Sequence, residues 1–200
     1  MDYKEKILKT TFEMVMKYGI KSVSMDDISR SIGISKKTIY QYFENKRALI
    51  GEMIDDHIKQ DEEDINAIIE NSKNAINELI DIARHLLSFL KGMSPSMMYD
   101  TRKYYPRQWE KVERQHFSYF LKIIKANIER GQKEGLYNDD LNSDIIARLY
   151  IRQTLAIADE STFSASEYNK GELYKTLVTY HIRGLMTQKG RRLAKSQEIE

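Results

Sequence analysis

Helical periodicity with few interruptions is the feature that most limits how these 200 residues can fold. The sequence has two prolines, Pro95 and Pro106, and both fall in one short region. No run of alternating β-branched residues is bounded by turns, so the pattern contains no strand signal. We therefore predict an all-α protein, long enough to bury a substantial core in one or two compact domains.

The periodicity divides the chain into nine predicted helices, and turn-forming residues separate several of them. The predicted helices span residues 3–18, 25–32, 36–42, 46–70, 73–91, 96–104, 107–134, 144–162 and 168–187. The domains predicted from this organisation are an amino-terminal module at 1–46, a helical body at 47–188 and a polar, mobile tail at 189–200.

The segment Ser24–Arg47 joins two short helical patterns across a glycine-containing turn. Ser24 with Asp27 three residues later predicts a capping box at the start of the first helix. Gly33 suits the left-handed conformation that ends a helix tightly, and Ser35 can cap the second helix. The apolar residues that must turn inward are four apart in each helix: Ile28 with Ile32, and Ile39 with Phe43. The pattern predicts a helix-turn-helix.

The second helix of this pair carries polar side chains that project away from the inner face. They are Lys36, Lys37, Tyr40 and Gln41. A solvated face would explain a lone lysine pair. In a helix-turn-helix, however, the first turn of the second helix carries side chains that reach base edges, and tyrosine hydroxyls can bond phosphate oxygens. We predict that Lys36 and Lys37 read guanine, although either could serve a phosphate instead.

The same segment closely resembles the DNA-binding signature of the TetR family of bacterial transcriptional regulators. The matching residues are Gly33-Ile34-Ser35, Thr38-Ile39-Tyr40, Tyr42-Phe43 and Asn45-Lys46-Arg47-Ala48-Leu49. The preceding helix fits as well, and the close match covers roughly the first fifty residues. The resemblance implies a nine-helix TetR-like fold, with an amino-terminal helix-turn-helix domain and a body that binds a ligand and dimerises.

The resemblance also implies roles at the DNA. It places Thr38, Tyr40 and Tyr42 against the backbone or thymine methyl groups, and Lys46 at a phosphate. Ser24 is a further phosphate donor because it opens a helix, and Gln41 could read adenine. The predicted DNA-contacting residues are Ser24, Ser35, Lys36, Lys37, Thr38, Tyr40, Gln41, Tyr42 and Lys46.

The charge distribution agrees with an amino-terminal DNA-binding module. Residues 1–50 hold ten Lys and Arg against six Asp and Glu, whereas the other 150 residues hold 22 against 24. A basic module on a slightly acidic body suits binding to the phosphate backbone.

The last two predicted helices are apolar on more than one side, so they must be buried on more than one side. Either they are central to their own domain, or they pair with their copies as the four-helix bundle of a homodimer, which the resemblance implies. Two modules on a two-fold axis can read a palindromic operator in successive major grooves. The predicted interface residues are Ile145, Leu149, Tyr150, Ala156, Leu177, Ile182 and Leu185.

The resemblance further implies a small-molecule pocket within helices four to eight. Effector binding there would move the fourth helix and release the operator. The predicted ligand-binding residues are Met93, Met97, Met98, Tyr104, Tyr105, Trp109, His116, Phe117 and Phe120. Methionine and aromatic side chains suit an adaptable pocket for an apolar or amphipathic effector, and they also suit an ordinary core.

The sequence gives no support for an enzyme, a cofactor or a metal site. It has no cysteine, no glycine-rich phosphate loop and no nucleophile elbow, and its four histidines lack paired helical spacing. Neither a signal-like core nor an apolar run of membrane-spanning length is present, so we expect a cytoplasmic protein.

The resemblance implies a repressor. The alternatives are a transcriptional activator, and a helical dimeric module that binds a protein partner with DNA binding secondary.

Overall fold

The computed structural model describes residues 2–158, 162–164 and 166–195. This part of the chain contains ten α-helices and no β-strand. The side chains of Pro95, Gln115, His116 and Ala158 lie outside that description. The helices are α1 Tyr3–Tyr18, α2 Met25–Ile32, α3 Lys36–Tyr42, α4 Lys46–Asn71, α5 Ala75–Gly92, α6 Pro95–Tyr104, α7 Pro106–Lys133, α8 Ser143–Ala158, α9 Lys170–Leu185 and α10 Gln188–Ala194. The all-α prediction is confirmed.

Most helix ends lie within two residues of their predicted positions. α9 begins at Lys170 instead of residue 168 because the Asn169 side chain accepts a hydrogen bond from the Glu172 N–H at 3.1 Å and caps the helix. We predicted that helix eight would continue to residue 162. Residues 159–161 lie outside the described part of the chain, and Thr162 is in a turn.

The tenth helix occupies a segment that we predicted to be a polar, mobile tail. The Thr187 hydroxyl caps α10 by accepting a hydrogen bond from the Gly190 N–H at 3.1 Å. The Thr187 N–H donates to the C=O of Leu136 at 2.9 Å, and a Cβ at Gly190 would collide with that carbonyl. The prediction missed this helix because its close backbone approach to Leu136 depends on a partner that is far away in the sequence. Residues 196–200 of the predicted tail lie outside the described residues.

The helices form two compact units. The first unit contains residues 1–63 and 92–113, and the second contains residues 64–91 and 114–200. α4 and α7 each begin in the first unit and end in the second. The predicted functional boundary after residue 46 falls inside the first unit and stays a prediction.

The first unit is held together by an apolar core that supports α1 to α4. Ile7, Val15, Ile28, Ile39 and Leu49 are completely buried. Burying a side chain of this size contributes roughly 1.5–3 kcal/mol relative to leaving it in water. Because these side chains come from all four helices, the core fixes α2 and α3 relative to the start of α4.

The second unit contains a buried polar network centred on Glu78, which is only 3 % exposed. The Arg130 guanidinium pairs with the Glu78 carboxylate at 2.6 Å and with the Glu134 carboxylate at 2.8 Å. The Asn127 amide donates to the other oxygen of Glu78 at 3.0 Å. The buried charge of Glu78 is therefore compensated by one ion pair and one hydrogen bond.

Gly131 in α7 makes room for the ring of Tyr137. A Cβ at Gly131 would overlap that ring, which is 1 % exposed and whose hydroxyl donates to the C=O of Ala75 at 3.0 Å. Burial raises the pKa of the Tyr137 hydroxyl well above its usual range. α7 continues past Gly131 to Lys133, close to the predicted end at residue 134, and Gly135 then adopts a positive φ of 68°.

A buried histidine lies among aromatic side chains in the second unit. The His181 ring stacks on the Tyr150 ring with centroids 4.1 Å apart, and the Tyr150 hydroxyl lies 3.4 Å from that of Tyr174. His181 Nε2 has no hydrogen-bond partner among the described residues. Burial lowers the pKa of the His181 imidazole to about 4, so the ring is neutral in the folded protein at pH 7.

The buried imidazole makes stability depend on pH. Its pKa is about 4 in the folded chain against an ordinary value of 6.5, so its contribution is complete above about pH 6.5 and is lost as the pH falls toward 4. Between pH 7 and pH 5 this group should cost about 2 kcal/mol of unfolding free energy. His181→Phe keeps the ring and removes the titration. Urea unfolding at several pH values should show a smaller loss for this variant, and parallel pH curves would contradict the assignment.

Candidate DNA-binding site

The start of α2 has the predicted capping box. The Ser24 hydroxyl accepts a hydrogen bond from the Asp27 N–H at 3.2 Å, and the Asp27 carboxylate accepts one from the Ser24 N–H at 3.0 Å. The Ser24 hydroxyl also donates to that carboxylate at 2.5 Å. These hydrogen bonds lower the pKa of Asp27, so the cap is charged and fixes the position at which α2 begins.

The turn between α2 and α3 also has the predicted geometry. Gly33 is left-handed at φ 78° and ψ 32°, and its N–H donates to the C=O of Ser29 at 3.0 Å. Ser35 then caps α3 by accepting from the Thr38 N–H at 3.1 Å. Ile28 and Ile39 are fully buried beneath the turn. Local signals in the sequence therefore build a helix-turn-helix.

Most of the predicted DNA-contacting side chains are exposed on this framework. Thr38 and Lys46 are half-buried. The exposed residues are Ser24, Ser35, Lys36, Lys37, Tyr40, Gln41 and Tyr42. Tyr40 and Tyr42 keep 46 % and 38 % of their surface exposed, which is unusual for aromatic residues on a helix whose other side is buried. The arrangement offers hydroxyls, ammonium groups and an amide on one exposed surface.

The two lysines at the start of α3 have different surroundings. Lys36 pairs with Asp26 at 2.8 Å, and this hydrogen bond raises the pKa of the lysine. An exposed pair of this kind is weak and screened by salt, so Lys36 can exchange Asp26 for a DNA acceptor. Lys37 makes no hydrogen bond or ion pair within the described chain, and it can reach a base edge without losing a partner.

Lys46 has a partner that the sequence did not reveal. Its ammonium donates to the C=O of Ile20 at 2.6 Å, at the turn that follows α1. Burial lowers the pKa of Lys46, and the negative charges of Asp100 and Asp27 oppose this effect. An ammonium has three donors, so the predicted phosphate contact remains possible while one donor holds Ile20.

Sequence reasoning also missed two acidic residues near these lysines. Asp26 pairs with Lys36 across the turn, and Asp100 acts electrostatically on Lys46. The position of Asp26 in the first turn of α2, close to the capping box, was a sequence signal that could have identified it. No sequence signal could have identified Asp100, since it lies 54 residues after Lys46 in the sequence.

The predicted ligand-binding residues are divided between the two compact units, and their role stays a prediction. Met93, Met97, Met98, Tyr104, Tyr105 and Trp109 belong to the first unit, whereas Phe117 and Phe120 belong to the second. Met97, Tyr105 and Phe120 are buried. The side chain of His116 lies outside the described part of the structure.

A small recess in the second unit is lined by other residues. Its lining consists of Ile80, Ala83, Arg84, Leu87, Tyr174, Lys175 and Val178. Its volume is about 30 Å³, which is enough for a few water molecules. The recess is therefore too small for an effector of ordinary size in this conformation.

The predicted interface residues divide into two groups. Ile145 and Leu149 on α8 are 54 % and 55 % exposed, and Ala156 and Leu177 are half-buried. In contrast, Tyr150, Ile182 and Leu185 are buried within the core of the same chain. An interface made by α8 and α9 would use the first group, because the buried side chains already pack inside one protomer.

The described residues contain neither a membrane-spanning helix nor a cluster of metal ligands. No described helix has the length and the apolar content that a membrane span requires. Within the same residues, no three His, Asp or Glu side chains come together as a metal site.

The fold and the exposed face of α3 together define a helix-turn-helix DNA-binding protein. Residues 7–53 match the family model described as bacterial regulatory proteins, tetR family. The amino-terminal part of the chain therefore carries the DNA-binding domain of TetR-family transcriptional regulators, and the resemblance seen in the sequence is confirmed there. This DNA-binding domain agrees with the prediction of a regulator rather than an enzyme.

Similar proteins span nearly the whole chain. YvaF, a helix-turn-helix-type transcriptional regulator of Bacillus subtilis (strain 168), is 22 % identical over 187 residues, which cover 90 % of this chain and 94 % of YvaF. A transcriptional regulator from Saccharomonospora viridis, solved in complex with choline, has a TM-score of 0.70 at 16 % identity, covering 93 % of this chain and 98 % of that one. A TetR-family regulator from Streptomyces coelicolor has a TM-score of 0.64 at 17 % identity, covering 90 % and 92 %. The two structures share the fold over 93 % and 90 % of this chain.

Proposed function

We propose that this TetR-family regulator binds a palindromic operator as a homodimer, represses transcription, and is released by a small-molecule effector. The observation that carries the proposal is the exposed polar face of α3 on a buried and capped framework. That face presents Lys37, Tyr40 and Gln41 to solvent, while Ile39 on the other side of the same helix is completely buried. A helix held in this way can enter the major groove without rearranging.

The outer face of α8 and α9 supports a homodimer. We define this face as Ile145, Leu149, Leu177, Tyr180 and Gly184. Tyr180 is 73 % exposed, and a Cβ at Gly184 would meet nothing within 4 Å, so another helix could approach there closely. Residues 145 and 149 are four apart in α8, and residues 177, 180 and 184 follow helical spacing in α9, so each helix offers one apolar stripe.

An apolar or amphipathic effector fits the chemistry of the body. We propose that it contacts methionine and aromatic side chains of α6 and α7, which suit an adaptable binding site. The choline complex of the Saccharomonospora viridis neighbour supports a small-molecule ligand in this fold. To release the operator, the effector must bind more tightly to a conformation that does not fit the DNA.

Selection from a random duplex library tests the proposed function. The full chain should enrich a short palindrome at physiological salt, because two copies of α3 related by two-fold symmetry read the same bases in opposite orientation. Enrichment of a sequence without symmetry would contradict the dimer. If no sequence were enriched, the chain would not act as an operator-binding regulator, and a module that binds a protein partner would replace it.

Replacing Lys37 should identify the base pair that it reads. Lys37→Ala should cost about 1–3 kcal/mol on the selected operator, and much less on operators changed at that base pair. Lys175→Ala is the matched control, because it removes the same charge from an exposed position in the second unit. Fluorescence anisotropy with an operator series measures both. A uniform loss of affinity over the series would assign Lys37 to a phosphate instead.

A further inference from the structure

α6 belongs to the same compact unit as the helix-turn-helix and touches the turn after α1. The Ser94 N–H, just before α6, donates to the C=O of Met16 at 2.7 Å. Gly19 has a positive φ of 81°, and a Cβ there would collide with the Ser96 hydroxyl. The positive φ favours glycine at this turn, and any side chain there would also displace the Ser96 hydroxyl.

Asp100 is the polar anchor of this contact. It is 5 % exposed, and its carboxylate accepts a hydrogen bond from the Lys21 N–H at 3.2 Å. A buried carboxylate needs such compensation, because desolvation strongly disfavours its charge. The neighbouring carbonyl of Ile20 accepts from Lys46 at 2.6 Å. The turn is thus hydrogen-bonded both to α6 and to the start of α4.

A second bond ties α6 to the start of α4. The Arg47 guanidinium donates to the C=O of Tyr104 at 2.9 Å, and its centre lies 5.8 Å from the centroid of the Tyr105 ring. The amino-terminal part of α6 therefore contacts the turn that leads into α2, and its carboxyl-terminal end contacts α4. Both ends of the helix-turn-helix segment are linked to α6.

We propose that Asp100 is a positioning residue for DNA binding, which fixes the turn after α1 and thereby holds Lys46 and the start of α2 in the geometry that contacts DNA. This inference rests on the proposed function for its DNA readout. It assigns α6 a role in presenting the helix-turn-helix, although α6 contributes no residue to the exposed face of α3. Without the Asp100 acceptor, the Lys21 N–H loses its partner, and the carbonyl that orients Lys46 is no longer fixed.

Two variants of Asp100 separate geometry from charge. Asp100→Asn keeps an oxygen that accepts from the Lys21 N–H, whereas Asp100→Ala removes it. Asp100→Ala should lower operator affinity about tenfold and reduce the slope of log K against log salt by about one phosphate per protomer, because Lys46 is displaced. Asp100→Asn should keep the wild-type slope and stay within about threefold of the wild-type affinity.

Thr101→Val is the matched control for loss of a buried polar group. Thr101 is 6 % exposed and is the neighbour of Asp100, but its hydroxyl bonds to Met97 within α6 at 2.8 Å. This variant should leave the salt slope unchanged. If it lowered the slope as much as Asp100→Ala, general loosening of α6 would explain both, and the proposal would be wrong. An unchanged slope in Asp100→Ala would overturn it as well.

Hydrogen exchange on the free protein tests the same inference without DNA. The amides of residues 20–28 should exchange faster in Asp100→Ala than in the wild type, and Asp100→Asn should restore slow exchange. Equal exchange in all three proteins would overturn the positioning role, whatever the DNA measurements show. A wild-type chain that enriches no operator would instead refute the proposed function, so the two failures are distinguishable.

Discussion

Arg130→Met is expected to lower the free energy of unfolding by about 3 kcal/mol, because it leaves the buried charge of Glu78 without its ion-pair partner. The Arg130 side chain itself is 33 % exposed, so the loss lies at the lower end of the range for a buried pair. The remaining charge is that of Glu78, which is 3 % exposed and lies 2.6 Å from the guanidinium. Arg130 also donates to the C=O of Ser72 at 2.9 Å, so that acceptor loses its partner too. Methionine retains most of the apolar volume, and the effect therefore reports on charge and hydrogen bonding. Urea unfolding followed by circular dichroism measures it.

Arg148→Met is the control for this prediction. Arg148 pairs with Asp144 at 2.7 Å, but both side chains are about half exposed, so water can replace the lost partner. The free energy of unfolding of Arg148→Met should therefore stay close to that of the wild type. The double variant Glu78→Gln with Arg130→Met should recover part of the loss, because no unpaired charge remains buried. Equal effects of the Arg130 and Arg148 substitutions would contradict the account of the network.

Leu149→Glu is expected to dissociate the proposed homodimer and weaken operator binding by a factor of about 100 or more. Leu149 is 55 % exposed and, together with Ile145, forms the α8 part of the outer face of α8 and α9. Burying an unpaired carboxylate in the interface would cost several kcal/mol per copy, and each 1.4 kcal/mol is about tenfold in affinity. A monomer keeps its own helix-turn-helix but loses the second half-site. Analytical ultracentrifugation and anisotropy measure the two effects.

Tyr168→Glu is the control for the interface. Tyr168 is 46 % exposed in the same unit, but it lies before α9 and outside the outer face of α8 and α9. The variant should remain dimeric and bind the operator like the wild type. Dimerisation that survived Leu149→Glu would show that another surface joins the protomers.

The helix-turn-helix could be predicted from the sequence because its signals are local. Ser24 and Asp27 are three residues apart, and both of their backbone N–H bonds are present. The turn at Gly33 requires one residue type in one conformation. Apolar side chains four apart identify the buried faces without any knowledge of the rest of the chain.

Other features could not be predicted because they depend on distant partners. The hydrogen bond of Lys46 to Ile20 spans 26 residues, and that of Asp100 to Lys21 spans 79. The sequence correctly indicated that α8 and α9 are apolar on several sides, but it could not say which side packs inside the protomer. Tyr150 and Ile182 therefore joined the predicted interface, although both lie in the core.

Footprinting of the full chain on its selected operator tests the central claim most directly. At physiological salt, the wild type should protect two half-sites related by two-fold symmetry, with centres about one helical turn or a small multiple of it apart. Lys37→Ala should lose this protection at concentrations where Lys175→Ala keeps it. Protection without symmetry, or none above that of random duplex DNA, would contradict a helix-turn-helix dimer that reads an operator.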